Sequence, residues 1–288
     1  MVAQSVQQEG NGSIPIPSLH MHQVARKHFE KHKSKCYQRH IRELYGEREN
    51  KPQIASLSGA VVERIANLEA KQIIEKYEWL QKMGSGTIAC YGLKIDGELL
   101  GVACFGKMGQ KIGQICQAET PEETQALADS TVCLQRGACV PHAPKNSASF
   151  LIRQACRLAF QEFGWSIFFA YSDSAAGEIG TVYQASNWHY IGTGLGRPKG
   201  SFHTDYTSPD GKTTLTSYAI NHGRLKLMEK YGVPSNIPFR QWLTRNGWTQ
   251  TRHYSGAKGK YVWFEGPNKQ ELKKLCRYPF QPYPKRIQ

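Results

Sequence analysis

The sequence predicts an α/β fold: a mixed, mainly antiparallel central sheet with helices on both faces and basic N- and C-terminal extensions. Three observations carry this. Apolar runs at Thr87–Ile95 and Leu99–Phe105 are joined by Asp96-Gly97, a strong hairpin signal. From Ser130 onward the chain alternates strand, helix, strand, short helix, strand, the order that layers helices on a sheet. The net charge of +14 sits at the two ends. His20–Pro52 carries nine basic and four acidic residues, and Gly223–Gln288 fourteen and three, whereas Gln53–His222 holds fourteen and fifteen.

Residues 1–18 are rich in Gln, Gly and Ser and lack the basic start and apolar block of a secretory signal, so they are expected to be disordered. Gln23–Tyr45 contains no Pro or Gly and predicts one helix. On it His28, His32, Cys36 and His40 recur every four residues, a spacing at which His pairs can share an ion. Lys27, Lys31, Lys33, Lys35 and Arg39 oppose a cation there, so a solvated or phosphate-facing surface is favoured and no metal is expected. Leu57–Met83 has the spacing of one or two amphipathic helices, ended by Gly84-Ser85-Gly86. After the hairpin, Lys107–Glu123 reads as a loop insert and Ser130–Val140 as a strand. Ser147–Phe163 reads as a helix burying Phe150, Leu151, Ala155, Leu158 and Ala159. Ser166–Ser172 follows as a short buried strand, Glu178–Ser186 as a short helix, and Trp188–Gly192 leads into another strand.

Residues 54–222 are thus expected to form a catalytic core, 19–53 a basic helical extension, and 223–288 a basic, aromatic segment packed on that core. No apolar run approaches the ~20 residues of a membrane helix. Eight cysteines without a Cys-x-x-Cys pair suit reduced thiols in the cytoplasm of a bacterial host.

Basic flanks concentrate phosphate backbones by Coulomb attraction and counterion release. In the C-terminal flank the cations are interleaved with Trp242, Trp248, Tyr254, Tyr261, Trp263, Phe264, Tyr278, Phe280 and Tyr283, a pattern suited to base stacking and cation–π contacts, although some of these rings must be core. Removing Gly223–Gln288 is therefore expected to weaken DNA binding and its salt dependence.

Val140-Pro141-His142-Ala143-Pro144-Lys145-Asn146-Ser147-Ala148-Ser149 connects a strand to a helix N-terminus, where unpaired N–H groups favour an anion. The loop resembles the pyrophosphate loop of GNAT acyltransferases, with Lys145 at the basic position and Asn146, Ser147 and Ala148 in place of glycines; a capped helix start is the competing reading. Tyr183-Gln184-Ala185-Ser186-Asn187-Trp188-His189-Tyr190-Ile191-Gly192 is similar to the GNAT phrase in which a tyrosine protonates a departing CoA thiolate, a role that falls on Tyr183. Together with Leu134-Gln135-Arg136, Tyr171-Ser172-Asp173 and the tail Arg277–Arg286, these motifs resemble the Mom-type DNA modification proteins of phages and prophages from Leu68 to Arg286. Tyr77-Glu78-Trp79 is the best match to a His-Tyr pair of those relatives.

The resemblance implies a GNAT-like fold, an acetyl-CoA or related acyl donor, and double-stranded DNA as substrate. It also implies conversion of adenine to its N6-carbamoylmethyl form, protecting DNA from restriction, with base flipping to reach the amine. Asp173 is a candidate proton acceptor or base-edge ligand, or a cap of the following turn. Arg136 is suited to a phosphate or carboxylate, or to a partner on the sheet. Tyr171 is suited to a base or the core, and Ser147 and Ser149 to donation toward pyrophosphate. An acetyltransferase acting on RNA or protein, and a non-catalytic nucleic-acid-binding protein, remain open as alternatives, and the oligomeric state is undetermined.

Overall fold

The Asp96-Gly97 pair makes the turn its composition predicts. Both residues have positive φ, 49° and 81°, as a two-residue hairpin loop of matching twist requires. The computed structural model describes residues 18–31, 35–84, 86–107, 115–193, 201–255 and 257–286. The expectations for residues 1–17, for His32 and Lys33, and for the tip of the Lys107–Glu123 insert lie outside them. In chain order the elements are α1 (Ser18–Lys31), α2 (Tyr37–Glu49), β1 (Val61–Ile65), α3 (Asn67–Tyr77), β2 (Thr87–Ile95), β3 (Glu98–Gly106), α4 (Pro121–Asp129), β4 (Thr131–Cys139), α5 (Ser147–Phe163), β5 (Ile167–Asp173), α6 (Thr181–Ala185), β6 (His189–Thr193), β7 (Ser201–Thr207), β8 (Thr214–Leu215), α7 (Ser217–Lys230), α8 (Phe239–Arg245), β9 (Thr249–Ser255), β10 (Lys258–Phe264) and α9 (Lys269–Lys274).

Seven strands form the central sheet in the order β1-β2-β3-β4-β5-β10-β6. Each neighbouring pair is antiparallel except β4 and β5, which run parallel. The predicted mixed, mainly antiparallel sheet is therefore present. One face carries α5, whose Leu151, Ile152, Ala155, Cys156 and Ala159 meet Tyr91, Phe105, Val132 and Phe168. On the other face α1, α2 and α3 bury Met21, Ile41, Tyr45 and Ile74 against Cys90, Val102, Cys104 and Ala138. Ile115, Cys116 and Leu272 cover Phe169, Val262 and Phe264 farther along that face. A second sheet, β8-β7-β9, packs with α7 and α8 around Tyr206, Met228, Phe239, Leu243 and Trp248.

The C-terminal segment supplies a strand to the heart of the first sheet. β10 lies between β5 and β6, with Tyr261 and Val262 fully buried. Removing Gly223–Gln288 would strip both neighbours of a pairing strand, so truncation tests the fold and not DNA binding. Several of the interleaved aromatics are likewise core: Trp248, Tyr261 and Phe264 are buried, while Phe280 and Tyr283 are exposed.

Three local expectations are overturned. The helix predicted over Gln23–Tyr45 is two helices: α1 ends at Lys31, α2 starts after Cys36, and they fold back so that the His28 and His40 rings meet edge-on at 6.4 Å. Packing of their apolar sides against each other outweighs helix continuity. Among the described residues no group of three or more His, Cys, Asp or Glu is arranged to hold a metal. Val61–Ile65 is an edge strand paired with β2, not helix. The insert contains α4, started by Thr120, whose hydroxyl accepts the Glu123 N–H at 3.2 Å.

Candidate active site

The parallel pairing of β4 with β5 is short. It runs from Thr131 opposite Ile167 to Leu134 opposite Ala170 and then stops. The cause is a bulge: Phe105 faces Leu134 but Cys104 faces Arg136, so Gln135 is an extra residue in β4. Past it, β4 continues along β3 to Cys139, while β5 continues along β10 to Asp173 opposite Lys258. The two strands part at their C-terminal ends and leave a wedge in the middle of the sheet. The loops after both strands open on the same side, because the strands are parallel.

The wall on the β4 side ends in the Val140–Asn146 loop and α5. Asn146 precedes the helix with φ 67°, a left-handed conformation that asparagine tolerates. Its side chain makes no capping hydrogen bond, so the first turn of a 17-residue helix has no side-chain N-cap. Lys145 and Asn146 are exposed at the tip. Ser147 is buried and donates its hydroxyl to Pro144 O at 2.8 Å, and Ser149 donates to Asn146 O at 3.0 Å. Both hydroxyls therefore shape the loop, and Ala148 leaves room beside it. The N-terminal extension staples the loop from behind. Arg42 donates to Pro141 O and Ala143 O at 3.2 and 3.1 Å, and Gln53 donates to His142 O and Ala143 O at 3.0 and 2.5 Å. His142 Nε2 lies 3.0 Å from Glu98 Oε1, which also pairs with Lys51.

The wall on the β5 side ends at Asp173. Its Oδ1 accepts the Ala175 N–H at 2.9 Å, capping the turn Ser174–Ala176, and its Oδ2 is 3.9 Å from Lys258 Nζ. Gly177 sits against α1 and α2, where an added Cβ would come within 3.0 Å of Phe29 and 3.3 Å of Cys36. Tyr183, on α6, lies between the Trp188 and Tyr261 rings at 5.5 and 5.1 Å. Its hydroxyl donates to Tyr171 O at 3.4 Å. Burial and the Glu178 carboxylate push that hydroxyl far above the usual tyrosine range, so it stays protonated. The Tyr171 ring meets Phe169 edge-on and lies under Lys260 Nζ, 5.6 Å from the ring centroid. Arg136, at the bulge, donates to Lys82 O at 2.7 Å and to Gln135 O at 2.6 Å.

Two residues outside the predicted set belong to this place. Glu78, in the turn after α3, is 5% exposed, and its carboxyl is pushed up to about 7 by burial, opposed by the Arg136 charge and raised further by Glu178. Glu178 follows the Asp173 turn; burial pushes it up to about 7, and the Asp173 charge adds to that against the pull of its N–H and of Lys258. Their separation of one hundred residues left no signal in the sequence beyond Glu78's place in the Tyr77-Glu78-Trp79 match. Two open hollows, of about 440 Å³ by Gln117, Lys274 and Arg277 and about 380 Å³ by Asn67, Met83 and Thr87, lie away from the wedge.

The chain matches the model of the Mom protein family over residues 60–285. No curated protein matches its sequence. Among solved structures it is similar to the IAA acetyltransferase from Bacillus cereus ATCC 14579, at 13% identity and a TM-score of 0.33, covering 72% of this chain and 99% of that one. It is similar to an N-acetyltransferase from Staphylococcus aureus Mu50, at 11% identity and a TM-score of 0.33, over 71% of this chain and 98% of that one. It is also similar to the aminoglycoside acetyltransferase AAC(6')-Ib in complex with coenzyme A and kanamycin, at 13% identity and a TM-score of 0.34, over 57% of this chain and 99% of that one.

Proposed function

This chain belongs to the Mom protein family, and from that premise we propose that it is a GNAT-like transferase that modifies the N6 amine of adenine in double-stranded DNA, forming the N6-carbamoylmethyl base. The observation that carries the reading is the wedge opened by the Gln135 bulge. It places a helix N-terminus and Tyr183 on either side of one opening.

An acyl-CoA donor fits the loop on the β4 side. The left-handed Asn146, the absence of a side-chain cap on α5 and the exposed Lys145 suit a pyrophosphate held by backbone N–H groups and one cation, with Ser147, Ala148 and Ser149 forming the turn around it. Bound there, the cofactor supplies an activated carbon on a thiolate leaving group. Tyr183, kept protonated by its burial, serves as proton donor to that leaving group. Arg136 and Tyr171 border the space for the base, and Asp173 shapes the turn facing them.

The target amine is a weak nucleophile and lies inside the duplex, so the base must leave the stack to react. The basic flanks bind the backbone on either side. The reading places the protein in the cytoplasm of a bacterial host, where the modification shields phage or prophage DNA from restriction. No helix among the described residues is long and apolar enough to cross a membrane.

Mass spectrometry of nucleosides from cells expressing the protein tests the proposal. A new modified deoxyadenosine is expected. Its absence, with modified RNA or an acetylated protein in its place, transfers the reading to an acetyltransferase of those substrates. No modification, with DNA binding retained, leaves a nucleic-acid-binding protein.

A further inference from the structure

Two carboxylates face the wedge from opposite walls. Glu78 reaches it from the β4 side. The turn that carries it is tied to α2 by Gln38, which donates to Tyr77 O at 2.5 Å and accepts the Trp79 N–H at 2.9 Å. The same turn is tied to the bulge by Arg136, through Lys82 O. One Glu78 oxygen accepts the Leu80 N–H at 2.8 Å, and among the described residues the carboxylate has no ion-pair partner within 4.0 Å. Glu178 reaches the wedge from the β5 side, held by the Asp173 N–H at 3.4 Å. The two are close enough for the charge of Glu178 to act on Glu78, and both act on Tyr183. A carboxylate this buried, with a single backbone donor and no salt bridge, is destabilising. Its retention beside a hydroxyl that stays protonated is the arrangement of an acid–base pair.

We propose that Glu78 is the proton acceptor for the exocyclic amine modified by this chain, with Glu178 as its positioning partner across the wedge. The assignment rests on the transferase reading above. In the step, the amine lone pair forms the N–C bond to the donor carbon, and the bond from that carbon to its thiolate leaving group breaks with its electron pair. The amine proton passes to a Glu78 oxygen. Asp173 is less suited to this role, since one of its oxygens caps the Ala175 N–H and the other faces Lys258. Glu78 faces charged and titratable groups from each element around it: Cys104 on β3, Arg136 on β4, Tyr183 on α6 and Glu178 after β5.

Nucleoside mass spectrometry on cells expressing the wild type, Glu78→Gln and Glu178→Gln separates this inference from the reading beneath it. If the wild type yields no modified deoxyadenosine, the transferase reading fails. If the wild type yields it and Glu78→Gln stays within about twofold, the acceptor assignment alone is overturned; a loss of roughly 10²-fold or more is expected. The pH dependence of the purified enzyme adds a readout that a packing role would not move. Wild-type activity should rise with pH through a limb near neutrality. Removing the Glu178 charge should carry that limb to lower pH, and an unmoved limb overturns the pairing. Melting supplies a readout independent of activity. A carboxyl whose folded value is raised loses stability as pH rises through that value, so Glu78→Gln should melt higher than wild type at pH 8 and not at pH 5. A variant that melts lower at both pH values shows that Glu78 serves packing, which also overturns the assignment.

Discussion

Lys260 is 7% exposed, with its amine 5.6 Å from the Tyr171 ring centroid and 5.9 Å from that of Tyr278. Burial pushes it down to about 8. Its folded value is below its unfolded value, so the cost of charging it inside the protein is fully present below pH 8 and disappears as pH rises to the unfolded value. Lys260→Met is expected to raise stability at pH 7 by about 2 kcal/mol, the gain fading above pH 8, as measured by urea unfolding across pH. Gly180 is a second such position. It starts α6 at φ 67°, and an added Cβ would lie 2.4 Å from the Tyr261 ring. Gly180→Ala is expected to cost on the order of 2–4 kcal/mol, seen as a lower denaturation midpoint. Tyr183 and Asn146 were legible because each stands in a local phrase with chemical meaning. Glu78 and Glu178 were not, because neither sits in a pattern; burial makes them unusual, and burial is a property of what surrounds them.

Helix α5 is the element the sequence rendered best, over the same residues, Ser147–Phe163, because its amphipathic spacing and flanking loop are both local. α4 was within reach, since Thr120-Pro121-Glu122-Glu123 is a capping box with proline at the first turn. β1 was not, because Val61, Val62 and Ile65 suit a helix face until β2 pairs with them. The break between α1 and α2 has no Pro or Gly to announce it. The loop before α5 gains its shape from α2 and the segment after it. Arg42→Ala with Gln53→Ala removes the side-chain donors to three loop carbonyls and is expected to weaken CoA binding by roughly tenfold, by calorimetry, with DNA affinity unchanged. Equal affinity would show that the loop holds itself.

At the scale of the molecule, β10 makes the C-terminal segment part of the central sheet, so a chain ending at residue 222 is expected to lack a cooperative melting transition. The charge of that segment must be tested without cutting it. Arg224, Lys226 and Lys230 are exposed on α7. Their joint replacement by glutamine should reduce the slope of log affinity for DNA against log salt by about 0.9 for each phosphate no longer neutralised, with the melting temperature unchanged. An unaltered slope would place the DNA elsewhere.

Charge placement, the hairpin, the β4–α5–β5 unit and the phosphate-type loop were all readable along the chain, because each depends on residues within a few turns of one another. The wedge and the carboxylates on its walls were not. A bulge is one extra residue with no compositional mark, and β10 enters the sheet from about ninety residues beyond β5. Glu78 and Glu178 meet only because separate surfaces pack, and the free energy that unites them lies in contacts between segments that are strangers in sequence.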